Sequence, residues 1–108
     1  GDSKGEQVIS ESTAGVMKQL LKTVSSSGTG AGYGVNGFEN FSKTGTTSDD
    51  ADRWLCGFTP YYAAACWFGY DSPEEVTGFG QNPAGQIFDS VMTDIHKNLA
   101  TLSLIFIM

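Results

Sequence analysis

Basic residues are scarce in this chain. Six Lys and Arg stand against twelve Asp and Glu, which leaves a net charge of -6 and a pI of about 4.4. Nucleic-acid binding rests on clustered cations, and these six are scattered, so no nucleic-acid partner is expected. Histidine occurs once, as His96, and cysteine twice, as Cys56 and Cys66. A structural zinc site takes about four ligands at short spacing, so neither a metal site nor any other cofactor is expected. Both cysteines fall in apolar, strand-like runs, which predicts free, buried thiols packing as small hydrophobes. One disulfide across neighbouring strands is the alternative in an oxidising compartment. No run reaches the ~20 apolar residues of a membrane helix. The stretch from Leu99 to Met108 is apolar but only ten residues long. No apolar leader region follows Gly1 and no initiator methionine precedes it, so the chain reads as a piece of something longer.

Apolar material is present in quantity. Of the 108 residues 40% are hydrophobic, with seven Phe, four Tyr and two Trp, enough to bury the core of one domain. Ser10 to Ser27 reads as a helix, with Ser10 or Ser12 as cap and Val16, Leu20, Leu21 and Val24 on one face. Gly28 supplies the stop. Five glycines in the ten residues from Gly28 to Gly37 make a loop. Phe41 to Thr47 reads as a strand, Asp49 to Asp52 as a polar turn, Arg53 to Phe58 and Tyr62 to Tyr70 as two more strands. The short Thr59-Pro60-Tyr61 connection makes those two antiparallel. The third run is apolar throughout, so a helix is expected against at least one of its faces. Asn82-Pro83 opens a second helix, whose apolar stripe runs Ala84, Ile87, Phe88, Val91, Met92, Ile95 and Leu99. The expected fold is α+β: a small antiparallel sheet of about three strands flanked by an N-terminal and a C-terminal helix.

The chemistry-bearing stretch is Phe41 to Tyr61. It contains Lys43-Thr44-Gly45-Thr46, then Asp49, Asp52, Trp54 and Gly57-Phe58-Thr59-Pro60, and Trp67-Phe68-Gly69-Tyr70-Asp71 follows beyond it. A lone Lys-Thr-Gly box is a weak signal. The ordered string after it resembles the transpeptidase domain of penicillin-binding proteins, closest to the class A, bifunctional kind that builds peptidoglycan. The resemblance runs from about Ser10 to Leu99 and implies the C-terminal portion of that domain, a partial β-lactamase/transpeptidase-like fold. The tail from Ala100 to Met108 matches nothing expected. A β-lactamase shares the box, but Asp52-Arg53-Trp54 and Gly57 to Pro60 favour the cell-wall enzyme.

The resemblance implies roles. Lys43 would place an ammonium in the acyl-donor pocket of a D-Ala-D-Ala transpeptidase. Thr44, Gly45, Thr46 and Thr47 would line it, with the Thr44 side chain turned away and the Thr46 hydroxyl turned in. The Thr46 N–H would donate to the oxyanion, and the strand edge would pair with the stem peptide. Partners implied are peptidoglycan stem peptides, β-lactams in the intact domain, and the missing part of the domain itself. The implied location is the extracytoplasmic face of the bacterial membrane. Two motifs are missing: no Ser is followed three residues on by Lys, and none two residues on by Asn. The nucleophile and its base are therefore absent, so the isolated chain should be inactive. Ser42 also departs from the family, which usually has glycine before the lysine, and Leu55 stands where an aromatic is expected. From the residues alone, Asp49 and Asp52 read as turn and cap residues, and Trp54, Phe58, Trp67 and Phe68 as core or sheet-face aromatics. His96 reads as a packing or surface residue. The alternative function is a non-catalytic module binding stem peptides or a partner strand, with oligomerisation through exposed sheet or helix faces.

Overall fold

The computed structural model describes residues 5–99. Helix α1 spans Glu11–Ser27, followed by strand β1 (Phe41–Thr46), a 3-10 turn (Ser48–Asp50), β2 (Asp52–Phe58), β3 (Ala63–Gly69) and helix α2 (Pro83–Ile95). This is the α+β order that the sequence leads one to expect. The tail from Ala100 to Met108 lies outside the described residues.

Local chemistry sets the ends of both helices. Ser10 Oγ accepts from the Thr13 N–H at 3.1 Å, satisfying an amide that the first turn leaves free. Asn82 Oδ1 accepts from the Ala84 N–H at 3.0 Å, and Pro83 follows in the first turn, where a missing N–H costs nothing. Gly28 stops α1, but not through a left-handed backbone, since its φ is -96°. A Cβ there would sit 2.9 Å from Val24 Cα, so close packing against the last turn selects glycine.

The sheet is antiparallel in the order β1-β2-β3. Its register opposes Lys43 to Cys56, Thr44 to Leu55 and Gly45 to Trp54, and then Trp54 to Trp67 and Leu55 to Cys66. Strand alternation therefore sorts the side chains into two faces. One face carries Leu55, Ala64, Cys66 and Phe68. Against it α2 sets Ala84, Phe88 and Met92, spaced by four on one side of the helix, and Val35 from the glycine-rich loop completes the core. Leu55 is wholly buried, so the smaller side chain fits this core without leaving the position exposed. The other face carries Lys43, Gly45, Trp54, Cys56, Ala65 and Trp67. It is open: Trp54 keeps 39% of its surface exposed and Trp67 44%. One covered face suffices for the apolar third strand.

This sorting corrects the expectation for the cysteines. Both are free, as expected, but Cys56 lies exposed on the open face while Cys66 is half-buried beneath α2. The two thiols leave opposite sides of the sheet, which is incompatible with a disulfide between them. Burial pushes the Cys66 thiol above its ordinary range, and Cys56 adds to the shift.

His96 closes α2. It is 2% exposed and uses both ring nitrogens. The Met92 carbonyl, 2.6 Å from Nδ1, can only accept, so Nδ1 carries the proton and Nε2 accepts from the Thr59 hydroxyl at 2.5 Å. Phe38, Tyr61 and Tyr62 meet the ring edge-on, with centroids 5.0 to 6.0 Å away. His96 is thus a packing residue that ties the end of α2 to the β2–β3 turn.

Candidate functional site

The Lys43–Thr46 box forms most of β1, an edge strand. Its hydrogen-bonding direction follows from the turn. Thr47 N donates to the Asp52 carbonyl at 3.3 Å, which makes Thr47 and Asp52 a bonded pair in the β1–β2 ladder. Bonded and non-bonded pairs alternate in an antiparallel ladder, so Gly45, Lys43 and Phe41 also turn their backbone groups toward β2. Thr44 and Thr46 then turn theirs outward, along the free edge. Lys43 agrees with this geometry: its Nζ reaches back to the Thr44 carbonyl at 2.8 Å. One edge therefore presents an ammonium, a carbonyl and the N–H of Thr46.

The threonine side chains need one correction. Thr44 and Thr46 are two residues apart, so they cannot leave opposite sides of a strand. Both lie on the side that bears Leu55, whereas Lys43 and Gly45 face the open side. Thr44 Oγ1 pairs with Thr29 Oγ1 at 2.6 Å, and Thr46 Oγ1 accepts from Arg53 Nη1 at 3.4 Å. The Thr47 hydroxyl is engaged as well: it donates to Asp52 Oδ2 at 2.8 Å and accepts from the Asp52 N–H at 3.1 Å. Of the five predicted site residues, the structure thus brings Lys43, Gly45 and the Thr46 backbone to one accessible border. It commits the hydroxyls of Thr44 and Thr47 to internal partners.

On the open face, the strand borders a shallow groove of about 480 Å³, walled by Leu21, Phe41, Lys43, Cys56, Phe58 and Ala65. A hollow of about 500 Å³ beside the glycine-rich loop, walled by residues such as Lys22, Tyr33 and Asn40, holds none of Lys43 to Thr47. Among the described residues no group of three or more His, Cys, Asp or Glu could hold a metal ion.

Ser42, just before the lysine, is 2% exposed, and its Oγ lies 2.8 Å from Ser25 Oγ. A Cβ on Gly30 would collide with that oxygen, so Gly30 is part of the same fit. Asp52 reaches further than a turn residue: its second carboxylate oxygen, Oδ1, accepts from Trp67 Nε1 at 2.7 Å. The sequence reading gives Asp52 only the role of a turn and cap residue. The cross-sheet partner emerges only once the register sets Trp67 diagonally from it.

Residues 2–93 match the model of the penicillin binding protein transpeptidase domain. The chain belongs to this family. Its relatives agree. It is 38% identical over 95 residues to penicillin-binding protein 1A of Clostridium botulinum and 40% identical over 94 residues to that of Clostridium acetobutylicum. Those alignments cover 87% and 86% of this chain but only 12% of either relative. Against penicillin-binding protein 1A/1B of Bacillus subtilis it is 35% identical over 97 residues, covering 77% of this chain and 10% of the relative. The chain thus spans about one eighth of the length of its clostridial relatives and corresponds to part of a class A transpeptidase domain.

Proposed function

We propose that this chain is the C-terminal portion of a peptidoglycan D,D-transpeptidase domain and supplies one wall of its acyl-donor site. The observation that carries the reading is the free β1 edge, with the Lys43 ammonium and the outward Thr46 N–H side by side. A stem peptide ending in D-Ala-D-Ala would lie along this edge as an added strand. Its carboxylate would be drawn to Lys43. Gly45, with no Cβ, leaves the substrate backbone room on the open side. As a serine elsewhere in the domain attacks the penultimate carbonyl, the developing oxyanion would accept from the Thr46 N–H, and the terminal D-Ala would leave. The nucleophile and its base would come from outside the chain, because neither motif occurs in these 108 residues. β-Lactams would occupy the same edge, and the site would face the outside of the bacterial membrane. Among the described residues no helix is long and apolar enough to cross a membrane.

Lys43→Ala in the longer protein carrying this chain tests the reading. Removing one preorganised positive group from such a site should slow acylation by a fluorescent penicillin about a hundredfold or more. An unchanged rate would remove Lys43 from the site. A second reading, a module that binds stem peptides without chemistry, draws on the two half-exposed tryptophans that share the open sheet face with Lys43. Titrating the chain with a D-Ala-D-Ala peptide and following Trp54 and Trp67 fluorescence distinguishes it: saturable binding together with no acyl-enzyme in the longer protein would favour the module.

A further inference from the structure

We propose that Asp52 is a positioning residue for the acyl-donor edge, clamping Thr47, the residue directly after the Lys43–Thr46 box, to Trp67 two strands away. The inference rests on the reading of β1 as the wall of the site. Each carboxylate oxygen serves a different strand. Oδ2 accepts from the Thr47 hydroxyl at 2.8 Å, and Oδ1 accepts from Trp67 Nε1 at 2.7 Å. The Asp52 N–H returns a bond to Thr47 Oγ1 at 3.1 Å, and Thr47 N donates to the Asp52 carbonyl at 3.3 Å. Thr47 is therefore held by three hydrogen bonds, through its hydroxyl and its N–H, to a single residue.

The neighbouring backbone shows why such a clamp is needed. The turn between Thr47 and Asp52 contains two non-glycine residues at positive φ, Asp49 at 63° and Asp50 at 53°. Such conformations persist only where the surroundings hold them. Space for the tryptophan arm is also built in. A Cβ on Gly69, the residue opposite Asp52, would sit 2.6 Å from Trp67 Cζ2 and 3.1 Å from Asp52 Oδ1. Glycine at that position leaves the indole free to lie across the strand and reach the carboxylate. The Thr46 N–H is one peptide from the clamped residue. Releasing Thr47 lets the oxyanion donor drift, and misplacement on the scale of 1 Å costs a transition state far more than a ground state.

The test is single-turnover acylation of the longer protein by a fluorescent penicillin, reading both the rate and the final stoichiometry. Asp52→Ala should slow acylation by between about tenfold and a hundredfold while the stoichiometry stays that of wild type. Asp52→Asn keeps an acceptor for Trp67 and should lie between the two. A merely structural role would lower the stoichiometry, by removing folded sites, and leave the rate per site unchanged; that result overturns the proposal. If Asp52→Ala does not fold, Thr47→Val and Trp67→Phe each remove one arm of the clamp, and wild-type rates in both overturn it equally. A wild-type protein that takes up no penicillin overturns the functional reading itself, and this inference with it.

Discussion

Ser42 is buried directly before the lysine, where the resemblance leads one to expect glycine. Its hydroxyl is accommodated because Ser25 provides a hydrogen-bond partner and Gly30 provides the space. The three form one fit. Gly30→Ala should cost about 2 kcal/mol, because the new methyl meets Ser42 Oγ. Ser42→Gly should cost about 1 kcal/mol for the lost hydrogen bond. Combined, they should cost less than their sum by about 1 kcal/mol, as expected for residues in contact. Denaturant unfolding of the four proteins measures the coupling, and strict additivity would contradict the fit. His96 invites a second residue-scale test. His96→Phe keeps an aromatic ring inside the cluster of Phe38, Tyr61 and Tyr62 but strips the buried Thr59 hydroxyl of its acceptor. A loss of about 2 kcal/mol is expected, and a neutral result would show that packing alone matters there.

At the scale of the elements, the β1–β2 turn carries its own pH signature. The bond from Trp67, and after it the bond from Thr47, hold the Asp52 carboxyl below the usual carboxylate range, against a smaller opposing effect of burial. Folding thus favours the ionised form. The stabilisation is present above the unfolded carboxylate pKa and is lost as pH falls through the lower folded value. The Trp67 indole N–H resonance should shift below the ordinary carboxylate range and stay flat in Asp52→Asn; a flat wild-type trace would contradict the bond.

The elements also show what could be read in advance. Ser10, Asn82-Pro83 and the short Thr59–Tyr61 connection declare caps and an antiparallel turn through local chemistry, and the structure has all three. An apolar run such as Tyr62 to Tyr70 does not say which of its faces is covered, because that depends on where α2 docks. For the same reason Cys56 is exposed although its sequence surroundings are apolar. The side taken by the Thr46 hydroxyl follows from parity alone, since Thr44 and Thr46 share a face. The ties from Asp52 to Trp67 and from Thr59 to His96 span 15 and 37 residues, beyond any local rule.

At the scale of the whole molecule, many large apolar side chains among the described residues stand exposed. Trp54 and Trp67 stand on the open sheet face, Ile87, Val91 and Ile95 on the outer side of α2, and Val16 and Leu20 on α1. An isolated small protein rarely leaves so many large side chains exposed together. The chain by itself should therefore self-associate in sedimentation experiments. Replacing Ile87, Val91 and Ile95 by serine should shift it toward monomer, and a monodisperse monomer before substitution would contradict the expectation. In the intact domain the outer sides of α1 and α2 would be covered by the remainder of the fold, while the sheet face beside Lys43 would stay open to substrate.

The most direct test of the central claim, that this chain is a wall of the site and not its nucleophile, is mass mapping of the penicillin adduct. The longer protein should carry one adduct, on a serine outside Gly1 to Met108 within an S-x-x-K motif, and the isolated chain should carry none. An adduct on any serine of this chain, or no adduct in the longer protein, would contradict the account.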